Sequence, residues 1–128
     1  MKPQYEKAAK KIRKFADGWE YLFGLQGFMK VEHRFIEAFK EDDDPATIAD
    51  TQCYWQYRLA VMRWFLPAVV RLSDSELDGD VCHEYVHVLT NPMESHVGNE
   101  FEEQCEFAVQ SVTLALLNTR KVLADLVD

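Results

Sequence analysis

The chain has 128 residues, of which 48% are apolar, and this size and composition fit one domain with one hydrophobic core over residues 1–128. Its 14 basic and 22 acidic side chains give a formal net charge of −8, which argues against a nucleic-acid surface and against binding to an anionic membrane. The chain shows neither a bilayer-spanning apolar run nor a secretory signal, so we expect a cytoplasmic protein.

The first half of the chain is predicted to contain one helix and two or three strands. Residues 3–17 predict a helix, because Pro3 suits a first helical position and apolar side chains then recur at helical spacing. Apolar and charged side chains alternate from Phe28 to Ile36, which indicates a half-buried strand. A second strand is predicted at 47–55 and a third at Tyr57–Phe65, although the third stretch is also compatible with the start of a helix.

The second half of the chain is predicted to contain two helices. Ser73 and Glu76 form a capping box, and the apolar side chains that follow recur at helical spacing. Pro92 is predicted to end this helix, because the residue before a proline avoids the α region. A loop is predicted at 90–99 and a long final helix over about 100–126. The predicted buried stripe of this final helix is Phe101, Cys105, Ala108, Val112, Ala115, Leu116, Leu123 and Leu126.

This order of elements indicates an α+β domain. Segregated strands and helices favour a small two- to three-stranded sheet beside the two packed helices, with the N-terminal helix added.

Residues 83–87 read His-Glu-Tyr-Val-His, an HExxH motif on the capped helix. His83 and His87 lie about 40° apart around the helix and one turn along it, so both imidazoles can bind one metal ion from a single face. Glu84 lies beside them, where it can take a proton from a water molecule on the metal. The motif therefore predicts a Zn²⁺ site with Glu84 as general base. The alternative interpretation is that the three side chains lie on a solvated helix face and bind no metal.

A catalytic zinc ion usually has three protein ligands, so the third must come from elsewhere in the chain. We prefer Glu102, which follows His87 by fifteen positions, enough for a turn and an antiparallel helix. Glu103 of the same helix and His96 of the preceding loop are the main alternatives, and Glu100 and Glu106 complete the set of candidate glutamates at the start of that helix.

Two further acidic residues are predicted to support the ligands rather than bind the metal. Glu106 lies one turn after Glu102 and can orient a histidine through a hydrogen bond. Asp80 lies on the metal face one turn before His83, where a solvated aspartate is the competing interpretation.

The stretch LSDSELDGDVCHEYVHVLTNP, followed by EFEEQCEFAVQSVTLALL, resembles the small gluzincin-like metallopeptidases of phage and bacterial genomes, which are akin to minimal gluzincins and ImmA/IrrE-type domains. The resemblance covers roughly residues 25–120. It implies a minimal zincin-like fold in which two motif histidines and a glutamate of the final helix bind zinc, and the motif glutamate is the base. These roles fall on His83, His87, Glu102 and Glu84.

Two details of the resemblance concern the third ligand. In the ImmA/IrrE pattern a small and a polar residue follow the ligand glutamate at +3 and +4, as Cys105 and Glu106 follow Glu102. SprT-like proteases instead use a third histidine shortly before an aromatic residue, and His96 followed by Phe101 partly resembles that arrangement.

The motif itself departs from the family at Val86, since the family often has Gly or Cys before the second histidine.

Three functions are compatible with these patterns. The first is a zinc-dependent peptidase that acts on a protein or peptide, with the strand near Tyr57–Phe65 pairing with the extended substrate. The second is a binding or inhibitory module on a zincin scaffold, without catalysis, whose charge of −8 suits a basic partner. The third is a purely structural helical domain without metal.

Overall fold

The computed structural model describes residues 1–127 and shows an α+β chain, which confirms the predicted fold class. The helices and strands, in chain order, are α1 (Pro3–Leu22), β1 (Lys30–Ile36), β2 (Ala49–Tyr54), β3 (Leu59–Phe65), α2 (Leu66–Val69), α3 (Asp74–Glu94) and α4 (Glu102–Val127). Short 3₁₀ turns at Trp55–Tyr57 and Asn99–Phe101 connect some of them. No helix of this described range is long and apolar enough to cross a membrane.

The sheet has three strands in the order β1-β3-β2, with β1 parallel and β2 antiparallel to β3. The strand interpretation of Tyr57–Phe65 is confirmed, because Leu59–Phe65 forms the central strand. Arg58 has a left-handed backbone conformation (φ 52°) that reverses the chain between β2 and β3. The side chains of Ala60, Met62 and Trp64 on β3 are fully buried, so one face of the sheet forms the centre of the core.

Helix α3 begins where the capping box predicts. Ser73 Oγ accepts the Glu76 backbone N–H at 3.1 Å, and Glu76 Oε1 accepts the Ser73 backbone N–H at 3.0 Å. The predicted end at Pro92 is wrong, because α3 continues to Glu94. Proline removes only one backbone donor, and the ladder resumes when Ser95 N–H donates to Asn91 O at 2.9 Å.

Helix α4 packs on α3 with a different face from the predicted one. Only Val109 and Thr113 are buried, whereas most of the predicted stripe is exposed, including Phe101, Val112 and Leu126 at 46, 44 and 77%. The two faces are about 90° apart around the helix. Because α4 is apolar on more than one side, periodicity alone could not decide which side meets α3.

A chain of hydrogen bonds crosses the core between the sheet, α3 and α1. Trp64 Nε1–H donates to His33 Nδ1 at 3.1 Å, and His33 Nε2 lies 3.5 Å from the Tyr85 hydroxyl. The Tyr85 hydroxyl donates to Glu20 on α1. Since Nδ1 accepts a hydrogen bond, Nε2 carries the proton of the neutral ring. Burial, aided by the charge of Arg13, lowers the pKa of His33 from 6.5 to about 4.

Candidate metal centre

The three chemical residues of the motif lie together on one face of α3, as their spacing predicts. The side chains of His83, Glu84 and His87 offer ligand atoms that all lie within 4.8 Å of one another. Glu84 is buried and the two histidines are half-buried, so the group is not an ordinary solvated helix face. The opposite face of α3 packs into the core through Val81 and Tyr85, which holds the helix and its imidazoles in place.

Glu106 of α4 brings a carboxylate to both imidazoles. Its Oε2 lies 3.4 Å from His83 Nε2, and its Oε1 lies 3.0 Å from His87 Nε2. Ligand atoms held at 2.0–2.1 Å by a tetrahedral zinc ion are roughly 3.3 Å apart. The two distances from Glu106 to the histidines are close to that spacing, although each involves a different carboxylate oxygen.

The residues preferred from the sequence as third ligand lie further away. Glu102 is exposed and lines a neighbouring cavity that His87 also borders. Glu103, His96 and Glu106 are exposed as well, so exposure does not separate the candidates, but within residues 1–127 none of Glu102, Glu103 and His96 forms an ion pair with a motif histidine. The structure thus places Glu106, a less favoured candidate that was predicted mainly to support a ligand, beside both histidines, where Glu102 was expected.

The Nδ1 atoms of both imidazoles have partners of their own. His83 Nδ1 lies 2.9 Å from Gln110 Oε1 on α4, and His87 Nδ1 lies 3.5 Å from Glu94 Oε1 in the last turn of α3. An oxygen atom beside each Nδ1 favours a proton on that atom, which leaves Nε2 free to bind a metal ion. In both rings Nε2 is the atom that faces the Glu106 carboxylate.

Asp80 lies one turn before His83 but has no hydrogen bond to it, and Gln110 is the partner of His83 Nδ1. Asp80 is half-buried. Burial raises its pKa, and the charge of His83 opposes that rise. Asp80 therefore interacts with His83 through its charge and not through a hydrogen bond.

Glu84 is held by the sheet rather than by α4. The Thr51 hydroxyl on β2 donates to Glu84 Oε1 at 2.9 Å. Burial raises the pKa of Glu84, while the Thr51 hydrogen bond and the neighbouring His87 and His83 lower it. A carboxylate whose pKa is raised is a stronger proton acceptor than a solvated one, which suits a general base.

The cluster opens into a cavity of about 280 Å³ between β2, α3 and α4. It is lined by Ala49, Asp50, Thr51, His83, Glu84, His87 and Glu106. The strand predicted to bind substrate, β3, lies in the centre of the sheet with both edges paired, so that expectation is corrected. The free edge beside the cluster belongs to β2, which within residues 1–127 pairs only with β3.

Three residues of the site were missed by sequence reasoning. Glu94 follows His87 by seven positions and therefore shares its face, but the predicted helix end at Pro92 hid this relation. Gln110 follows Glu106 by four positions, so choosing Glu106 as ligand would have revealed it. Thr51 carries no sequence signal, because only the packing of β2 on α3 brings it to Glu84.

Comparisons of this chain with protein-family models, curated proteins and solved structures found no match. The chemistry of the centre therefore has to follow from its own residues.

Proposed function

We propose that this protein is a zincin-like metallopeptidase in which His83, His87 and Glu106 hold Zn²⁺ and Glu84 is the general base. The observation that carries the proposal is the Glu106 carboxylate, which comes from a separate helix and meets both Nε2 atoms. The HExxH face alone would give two ligands, and Glu106 supplies the third that a catalytic site requires. Its contacts favour it over Glu102, which has none with the histidines.

Zinc, when bound, polarises a carbonyl oxygen and acidifies a water molecule. The chain supplies everything else. Glu84 accepts the proton of the attacking water, and the Thr51 hydroxyl fixes the direction in which its carboxylate points. Gln110 and Glu94 hold the two imidazoles in the tautomer that presents Nε2.

The proposed substrate is an extended segment of a protein or peptide that pairs with the free edge of β2. Backbone N–H and C=O groups along such an edge form hydrogen bonds with an added strand, whatever its side chains. The cavity that holds the cluster borders β2 at Ala49, Asp50 and Thr51. A peptide on this edge would therefore run past Glu84.

We also propose that the protein works in a reducing compartment such as the cytoplasm. Cys53, Cys82 and Cys105 are all free, and free cysteines are typical of proteins that are not exported.

The metal content of the purified protein tests the proposal first. We expect about one zinc ion per chain by elemental analysis. We expect its loss in the double variant His83→Ala/His87→Ala and in Glu106→Ala. Glu102→Ala, one turn earlier on the same helix, is the matched control and should keep the metal. Retention in Glu106→Ala with loss in Glu102→Ala would restore the ligand preferred from the sequence.

Glu84→Gln separates catalysis from binding. This change preserves shape and removes the proton acceptor, so the variant should bind zinc and fail to cleave an unstructured protein substrate such as casein. No zinc after reconstitution would overturn the metal site. Zinc without cleavage by the native protein would leave the binding module as the better account.

A further inference from the structure

Helix α4 exposes more apolar surface than its packing on α3 uses. Near its C-terminal end Val122, Leu123, Leu126 and Val127 are 58, 57, 77 and 86% exposed. Single exposed apolar side chains are ordinary, but a contiguous apolar patch marks an interaction surface. This surface lies outside the candidate metal centre and has no role in its chemistry.

Some of the exposed side chains of α4 follow the spacing of a helix–helix interface, whereas Phe107, Leu114, Leu123 and Val127 lie off it. Eight positions, separated alternately by four and three residues, run along one side of α4 and the turn before it, and we call them the α4 seam. The α4 seam consists of Phe101, Cys105, Ala108, Val112, Ala115, Thr119, Val122 and Leu126. None is charged, and all except the half-buried Cys105 are exposed. This 3.5-residue repeat is typical of helices that pack along their length.

An apolar cavity of about 160 Å³ lies beside the N-terminal end of the α4 seam, between α4 and the end of α3. It is lined by Thr90, Met93, Glu94, Val97, Cys105, Ala108 and Val109. A cavity of this size holds an apolar group as large as benzene. The exposed Leu126 lies about 30 Å away at the other end of the same helix, so it cannot fill the cavity of its own chain.

We propose that a second copy of this chain covers the α4 seam, with the two α4 helices antiparallel. The separations between successive seam positions are the same when they are counted from either end of the seam. A twofold axis near the middle of the seam therefore places each seam position opposite a seam position of the second copy. Phe101 then faces Leu126 of the second copy, and Cys105 faces Val122. Each C-terminal end lies against the other copy's cavity, so one twofold contact fills both cavities.

The charged side chains of α4 lie away from the seam, since Glu106 meets the motif histidines and Arg120 pairs with Asp78. They therefore do not select the orientation, and the cavities and the helix dipoles do. Antiparallel pairing places an apolar C-terminal end at each cavity and opposes the two helix dipoles. Parallel pairing would leave both cavities open and align the dipoles.

The contact is large enough for a dimer. Helix α4 has 26 residues, which corresponds to about 39 Å of helix. Two such helices in contact, with both cavities filled, bury on the order of 1,000 Å² in total, the size at which a specific interface becomes stable. Met93 and Val97, 67 and 45% exposed beside each cavity, add to this area.

Sedimentation equilibrium tests the dimer, with a chelator present so that the result does not depend on zinc. We expect the native chain to sediment at twice its mass of 14.9 kDa. Val112→Asp, on the α4 seam, should give a monomer. Leu114→Asp is the matched control, because Leu114 is 50% exposed against 44% for Val112 but lies off the seam.

Two results would overturn the dimer: a native chain that stays monomeric up to its solubility limit, and equal effects of the two aspartates. Far-UV circular dichroism checks that each variant keeps its helices. Leu126→Asp, at a position that is 77% exposed, is a second variant that cannot disturb the monomer core and should also give a monomer.

Disulfide trapping tests the orientation. In the antiparallel pair, Val122→Cys lies opposite Cys105 of the second copy, so oxidised glutathione should link two chains. Adding Cys105→Ser should abolish that link. In a parallel pair the new cysteine would meet itself, and a link that survives Cys105→Ser would overturn the proposed orientation.

Discussion

Helices α3 and α4 both contribute to the candidate metal centre, but the fold holds them very differently. Seven of the 21 residues of α3 are buried, against two of the 26 residues of α4. Both histidines therefore lie on a helix fixed by core packing, whereas Glu106 and Gln110 lie on a helix held by a narrow contact. The centre thus combines a rigid half with a more loosely attached half, and metal binding should stabilise α4 more than α3.

The largest effect expected from this difference is on folding. Val81→Asp places a charge at a fully buried position of α3 and should lower the free energy of unfolding by more than about 4 kcal/mol, enough to unfold the protein. The same change at Leu114 of α4, which is 50% exposed and lies off the α4 seam, should cost less than about 1 kcal/mol. Urea unfolding followed by circular dichroism measures both. Similar losses at the two positions would remove the contrast between the helices.

The second effect concerns the core side of α3, where Tyr85 meets His33. The pKa of His33 is about 4 in the folded protein against 6.5 unfolded, so the unfolded chain binds the proton more readily. The contribution of neutral His33 to the free energy of unfolding is fully present above pH 6.5 and is lost as the pH falls through 4. We expect a loss of at most roughly 3 kcal/mol, reduced by partial solvent access.

Urea unfolding at pH 7 and pH 4.5 measures this dependence. His33→Gln, which cannot titrate, should be less stable at pH 7 and should lose less stability on acidification than the native chain. Parallel slopes for the two proteins would rule out His33 as the source.

The third effect concerns the α4 side of the centre. Gln110→Ala removes the acceptor that fixes the His83 tautomer and should weaken zinc binding by about 10- to 100-fold without removing a ligand. Competition with a zinc-chelating dye measures the affinity. Ser111→Ala, the neighbouring exposed position, is the control. Unchanged affinity in Gln110→Ala would mean that α4 contributes only through Glu106.

The smallest effect concerns the sheet side of the centre. Thr51→Val keeps the shape and removes the hydroxyl that donates to Glu84, so it should lower the free energy of unfolding by about 1 kcal/mol. Zinc content should stay the same, and cleavage of casein should fall, whereas Thr51→Ser should restore it. A variant with unaltered cleavage would show that Glu84 needs no support from β2.

The fold was predictable wherever a local rule was strong. The capping box at Ser73 sets the start of α3, and alternation in residues 30–36 identifies β1. Local rules failed at Pro92, because one missing hydrogen bond near a helix end costs little against continued packing. They failed again on α4, where two apolar faces compete and only contact with α3 selects one of them.

The sequence by itself determined that His83, Glu84 and His87 share one face of a helix, because helical spacing depends on nothing but the backbone. It also determined the α+β class and the net charge of −8. The tertiary structure alone decided that Glu106 meets the histidines, that Thr51 meets Glu84, and that β2 rather than β3 has the free edge. Each of these relations joins elements distant in the chain, and their register depends on how the whole core packs.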